Sequence, residues 1–167
     1  MNTFRLSSSL LNSARYDLRR PHAIAFERMG FFFCRAAALS SGMLVLAEDY
    51  EPVADENYIA DSSVGARMNG AAIRHAMQRA LATRCGLFHV HLHDWRGVPA
   101  ASSTDRREAK RFVPDFFNVS PEMPHGTIIL SDDSLAGWFW ADKMAQPVQF
   151  QQIEIVGTPL RLLDMTI

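Results

Sequence analysis

Hydrophobic and polar positions along the chain follow two periods, and each change of period marks a new element. The N-terminal stretch opens as a short strand. It passes into an amphipathic helix that sets Leu10, Leu11, Ala14 and Leu18 on one face, with Pro21 as its stop. Residues 27–35 form a nearly continuous apolar run, the pattern of a strand covered on both faces. Residues 42–54 read as a second strand that emerges into an acidic turn. The acidic loop 55–62 offers Asp61, Ser62 or Ser63 as a helix N-cap. From Val64 to Arg84 the apolar positions Met68, Ala72, Ile73, Ala76, Met77, Ala80 and Leu81 recur at helical spacing, which predicts a helix.

Gly86 opens a further strand that runs into a loop over 94–103 carrying Gly97 and Pro99. Ser102 or Ser103 then caps a charged helix from Thr104 to Phe112. Asp105 falls in its first turn, where a carboxylate suits the helix dipole. A Pro-containing loop follows. After it come an apolar strand from Gly126 to Ser131, a turn at Asp132-Asp133, and a strand around Gly137 to Trp140. Residues 148–157 read as an edge strand and 159–167 as a short apolar tail. Helices and strands alternate without repeat or linker, which predicts a single α/β domain over 1–167.

Composition narrows the class. The 167 residues suffice for one domain with its own core. With 48% hydrophobic and 21% charged residues the chain matches globular averages, which excludes disorder and collagen-like repeats. The 17 basic and 18 acidic residues leave a net charge of −1, so nothing argues for an electrostatic nucleic-acid binder. Two cysteines, Cys34 and Cys85, are too few for a disulfide scaffold and predict a reducing, cytoplasmic compartment. The longest apolar run, Met29 to Leu39, contains Arg35 and falls short of the ~18–20 residues of a membrane span. The Ser- and Arg-rich N-terminus loosely resembles a transit peptide; its strand and helix pattern places it in the fold instead.

The histidines change the picture most. Three of the six, His89, His91 and His93, alternate along one strand and so project to one side of it. Neutral imidazole is the commonest metal ligand, and two on one strand face reach a shared ion with little rearrangement. Asp105, at a helix start after a Gly/Pro loop, adds a carboxylate. Two histidines, one aspartate and a water leave the open position of a hydrolytic zinc centre.

His91-x-His93 followed by Ser102-x-x-Asp105 resembles the JAMM motif of the JAB/MPN metalloproteases, in which a glutamate precedes His-x-His, a loop and Ser-x-x-Asp. Glu27-Arg28-Met29-Gly30, running into an apolar strand, resembles the glutamate segment of that family. The helix after the aspartate, the strand Thr127–Ser131 and the short strand Gly137–Trp140 resemble its continuation, so the likeness spans residues 3–140 and leaves 141–167 as a strand and tail. This sequence departs from the family in having Leu92 between the histidines and Asp94 after them. The loop to Ser102 is also longer: slightly so if the pair is His91 and His93, more so if it is His89 and His91.

The resemblance implies the α/β MPN fold, a curved mixed sheet flanked by helices. It implies Zn2+ held by His91, His93 and Asp105, Glu27 as general base, and Ser102 as hydrogen-bond donor to the developing oxyanion. His89 is left to orient a ligand or the substrate. The activity implied is (iso)peptide hydrolysis after the C-terminal glycine of a ubiquitin-like protein. Bacterial members resembling this compact chain work beside E1-like and E2-like proteins in Bil-type antiphage defence operons, and loop 94–101 would line the groove for the substrate tail. Other outcomes of the same resemblance are a JAMM hydrolase of a CBASS-type conjugate or a sulfur carrier, and an inactive MPN scaffold. On the residues alone, Glu27 also suits a surface ion pair, Ser102 a plain cap, and Asp105 a plain first-turn acid.

Other chemistries lack their residues. The chain has no Gly-rich phosphate loop, no Gly-x-Ser-x-Gly elbow, no His-Glu-x-x-His helix and no Pro-Cys-x-x-Cys pair. Cys85 next to apolar residues reads as a buried thiol rather than a nucleophile. An iron centre with two histidines and a carboxylate would leave Glu27 and Ser102 unexplained.

Overall fold

The structure, a computed structural model, describes residues 1–165. Nine strands form one sheet: β1 (Thr3–Ser7), β2 (Met29–Leu39), β3 (Gly42–Pro52), β4 (Gly86–Leu92), β5 (His125–Leu130), β6 (Leu135–Trp140), β7 (Val148–Gln149), β8 (Gln152–Val156) and β9 (Arg161–Asp164). Three helices pack on it: α1 (Ser8–Leu18), α2 (Gly70–Thr83) and α3 (Ser103–Phe116). The strand order is β7-β6-β5-β4-β2-β3-β1-β8-β9. β4 and β5 are parallel, as are β1 and its two neighbours; the remaining pairs are antiparallel. The chain is therefore a mixed α/β fold, with α3 as the crossover between the parallel strands β4 and β5.

Both faces of the sheet centre are covered, which is why β2 and β4 carry apolar residues at nearly every position. On one face Phe32, Phe88 and Val90 pack under Leu11, Ala14 and Leu18 of α1. On the other, Phe31, Phe33 and Leu87 pack under Ala72, Ala76 and Ala80 of α2 and Ala109, Val113 and Phe116 of α3. A register shift between Phe33 and Cys34 marks a bulge in the β2–β3 pair. His89 and His91 share the parity of Leu87 and so face α3.

Several elements differ from the sequence expectation for identifiable reasons. The second helix begins at Gly70, not Val64, and its cap is Asn69, whose side chain accepts from the backbone N–H of Ala71 and Ala72. Residues 58–68 instead form a hairpin-like loop, with Tyr58 bridged to Met68 and the N–H of Ile59 donating to Arg67 O. Asp61 closes that loop by accepting from Ser63 and Arg67. The buried residues of α2 are Ala72, Ala76 and Ala80, spaced by four, and Leu81 is exposed; small residues let the helix lie close to the sheet.

The charged helix α3 runs on through Pro114 to Phe116, where a loop was expected. Buried Val113 and Phe116 hold its last turn to the core. The C-terminal expectation changes most. The segment 148–157 breaks at Phe150-Gln151, and β8 is an interior strand between β1 and β9 rather than an edge. Phe150, Ile153 and Ile155 are fully buried in the α1-side core, so residues beyond 140 are integral to the fold. The last two residues of the expected tail lie outside the described residues. No helix among the described residues is long and apolar enough to cross a membrane.

Candidate metal centre

Three segments converge where β4 ends. His91 is the penultimate residue of the strand; His93 lies just beyond it, its N–H donating to Leu130 O at 2.9 Å and extending the pairing with β5. This keeps the alternation, so both imidazoles stand on the α3 side. Asp105 arrives from the first turn of α3, fixed by a reciprocal cap. The Asp105 N–H donates to Ser102 Oγ at 3.0 Å, and the Ser102 N–H donates to Asp105 Oδ2 at 2.7 Å.

The candidate ligand atoms stand close to the spacing of a tetrahedral ion's ligands, with the two histidines facing different oxygens of Asp105. His91 Nε2 lies 3.1 Å from His93 Nε2 and 3.4 Å from Asp105 Oδ1, and His93 Nε2 lies 3.5 Å from Asp105 Oδ2. Bonds of ~2.0–2.2 Å to zinc put neighbouring ligand atoms roughly 3.3–3.5 Å apart. His91, His93 and Asp105 form the cluster of possible metal ligands among the described residues, their three ligand atoms mutually within 4.8 Å. Oδ1 faces His91, while Oδ2 takes the Ser102 N–H and faces His93. The donor set fits zinc: two imidazoles and a carboxylate, with room for a fourth ligand from the cleft.

The electrostatics favour an ionised Asp105 and a neutral His93. Burial works to raise the Asp105 carboxyl, but His91 and the Ser102 hydrogen bonds outweigh it and hold Asp105 well below the usual range. Burial, together with nearby His91, lowers His93, and burial pushes His89 down to about 3. His89 packs against Phe31 and Phe112 and does not join the three-residue cluster.

Glu27 reaches the site from the segment before β2 rather than from the strand itself. The N–H groups of Phe26 and Glu27 both donate to Gly65 O, at 2.8 and 3.0 Å. A Cβ on Gly65 would stand 2.6 Å from Glu27 Cδ, so the carboxylate lies directly on that glycine. Buried Arg28 anchors the segment from the other side, donating to Arg20 O, Pro21 O and Asp55. Gly30 lacks a side chain for a separate reason. The Tyr50 ring crosses β2 there, 2.5 Å from where a Cβ would be, and its hydroxyl donates to Asp17 of α1.

Glu27, His89, His91 and Asp105 line one cleft of about 330 Å³. Its walls are residues 61–68 on one side and α3, through Arg107, Glu108 and Arg111, on the other, with Thr127 of β5 also contributing. Loop 94–101, expected to line this groove, supplies none of the cleft's lining residues, though its Trp95 packs edge-on against His93 with ring centroids 5.2 Å apart. It is pinned to the β5–β6 turn, where Asp133 accepts from the Gly97 N–H and Arg96 and Ser131 Oγ donates to Gly97 O. Ser102 also stands outside the cleft lining, with its hydroxyl oxygen engaged in the cap.

The 61–68 wall has no clear sequence signature, because the pattern suits a cap at 61–63 and a helical first turn over 64–68. Gly65, which breaks that helical pattern, was the available signal. Cys34 and Cys85 are free and buried, and burial pushes the Cys34 thiol up, opposite to what a nucleophile needs.

No protein-family model matches the chain, and no curated protein matches it. Among solved structures, the Trichoplax adhaerens STIL N-terminal domain aligns with 80% of this chain and 39% of its own, at 9% identity and a TM-score of 0.38. This chain thus spans about two fifths of that one, and a likeness at that level carries no argument about fold family or activity.

Proposed function

We propose that the chain is a zinc-dependent (iso)peptidase of the JAB/MPN type that cuts after the C-terminus of a ubiquitin-like protein. The observation that carries this reading is the meeting of His91, His93 and Asp105 at zinc spacing, with Glu27 lining the same cleft. The MPN fold is supported by element order. A strand follows the glutamate, a helix intervenes, His-x-His ends a central strand, and Ser-x-x-Asp opens the helix that leads to a parallel neighbour.

His91 Nε2, His93 Nε2 and Asp105 Oδ1 would hold the ion. Zinc bound there supplies Lewis-acid polarisation and brings the acidity of water close to neutrality. The Glu27 carboxylate accepts the proton of the attacking water and delivers it to the leaving amine, a transfer its position on Gly65 leaves it free to make. In this reading the Ser102 hydroxyl, outside the cleft lining and paired with Asp105 in the cap, swings out of that pairing to donate its proton to the carbonyl oxygen as charge develops there. The walls 61–68 and α3 hold the substrate tail in extended form.

The partners that follow are a ubiquitin-like protein or its conjugate, with E1-like and E2-like proteins of the same bacterial defence pathway, in the cytoplasm. The test is cleavage of a ubiquitin-like fusion by the zinc-loaded chain. Wild type releases the tail, while Glu27→Ala retains zinc and loses cleavage by at least about 100-fold. An active Glu27→Ala chain contradicts the mechanism.

A further inference from the structure

The buried side-chain nitrogens without a hydrogen-bond partner among the described residues are His89 Nε2, His91 Nδ1 and His93 Nδ1. Buried polar atoms are rarely left so, and each orphan weakens the fold unless a partner is supplied. His89 and His91 are both nearly inaccessible, at 7% and 4% exposure, and stand on the same face of β4 with ring centroids 5.5 Å apart and planes 35° from parallel. The strand fixes their backbones on both sides, through Phe31 and Met29 of β2 and Thr127 and Ile129 of β5, so the two rings stay neighbours on one face and ring rotation, not backbone movement, is what would join the two orphans.

A histidine that binds metal through Nε2 carries its proton on Nδ1, and that N–H ordinarily donates to an acceptor which fixes tautomer and ring orientation. No carboxylate or carbonyl accepts from His91 Nδ1 here. His89 meets the need: its ring is held edge-on by Phe31 and Phe112, its Nε2 is sealed from solvent, and the ring itself lines the cleft.

We propose that His89 is a positioning residue for the metal centre, its Nε2 accepting a hydrogen bond from His91 Nδ1–H and so locking His91 with Nε2 toward the ion. His89 then carries its own proton on Nδ1, the nitrogen left to face the cleft. This inference rests on the zinc reading above and gives a defined orienting role to the one histidine of the 89/91/93 cluster that the ligand set does not use.

Zinc affinity by chelator competition tests it in wild type, His89→Phe and His89→Gln, with zinc-loaded ¹⁵N-histidine NMR of the wild type. His89→Phe keeps an aromatic ring between Phe31 and Phe112 but removes the acceptor, and it should weaken zinc binding about 10- to 100-fold. His89→Gln places an amide oxygen near the position of Nε2 and should stay within about threefold of wild type. NMR should show His91 as the Nδ1–H tautomer, with a scalar coupling across N–H···N to His89 Nε2. A folded His89→Phe chain with wild-type affinity overturns the inference and leaves the zinc reading standing. A wild-type chain that takes up no zinc overturns both. If His89→Phe does not fold, the coupling alone decides: its presence supports the inference and its absence overturns it.

Discussion

Single atoms set the site. Glu27 stands where it does because Gly65 has no Cβ and offers its carbonyl to two successive N–H groups. Gly65→Ala should therefore leave zinc content unchanged while lowering kcat by roughly tenfold or more, because a displacement of about 1 Å is enough to misplace a general base; an unchanged kcat would detach Glu27 from the chemistry. His125 shows a different single-residue dependence. It is fully buried, with Nδ1 accepting from the Leu87 N–H and Nε2–H donating to Ser120 O, and burial pushes it down to about 4.

The unfolded chain takes up the His125 proton near pH 6.5, so between 6.5 and 4 it binds more protons than the folded chain. The stability contribution is complete above pH 6.5 and is lost as pH falls toward 4, on the order of 3 kcal/mol in all. Urea midpoints should fall across that window and fall less in His125→Gln; equal slopes would contradict this. The histidine pair and Asp105 could be read from the sequence because alternation and a cap are local patterns. The part played by Gly65 could not, since it depends on contact between segments far apart in the chain.

Elements bring those atoms together. The cap of α3 has two functions in one box: it satisfies the helix N-terminus and it holds the Asp105 carboxylate against the histidines, Oδ1 toward His91 and Oδ2 toward His93. Substitutions separate cap from catalysis. Ser102→Ala should cost ~1 kcal/mol of stability and reduce cleavage, whereas Ser102→Asn preserves the cap and stability but still loses the hydroxyl. Thermal melts beside cleavage rates check both; a fully active Ser102→Asn would confine Ser102 to the cap. Helix α3 was legible from its cap and charge pattern, except at its end, where Pro114 suggested a loop and tertiary packing of Val113 and Phe116 prevailed. The start of α2 was misplaced because Met68, which continues the helical spacing, is used in a bridge to Tyr58. A periodic pattern does not distinguish a helical turn from a loop that buries the same residues.

At the scale of the whole molecule, the site is a product of sheet order. β4 lies between β2 and β5, so the histidines meet Glu27 from before β2 and Asp105 from the crossover to β5. The order of the strands comes from the structure; the α/β class followed from the run of apolar strands and helices. The insertion of β8 beside β1 did not, because parallel pairing between chain ends has no local signature. The proposed function stands on His91, His93 and Asp105 together holding one zinc ion. The decisive measurement is zinc per chain, counted by elemental analysis in wild type and in a folded His91→Ala/His93→Ala chain. Wild type should carry about one zinc and the double variant almost none. Stoichiometric zinc surviving in the double variant, or a wild-type chain that binds none, would contradict it.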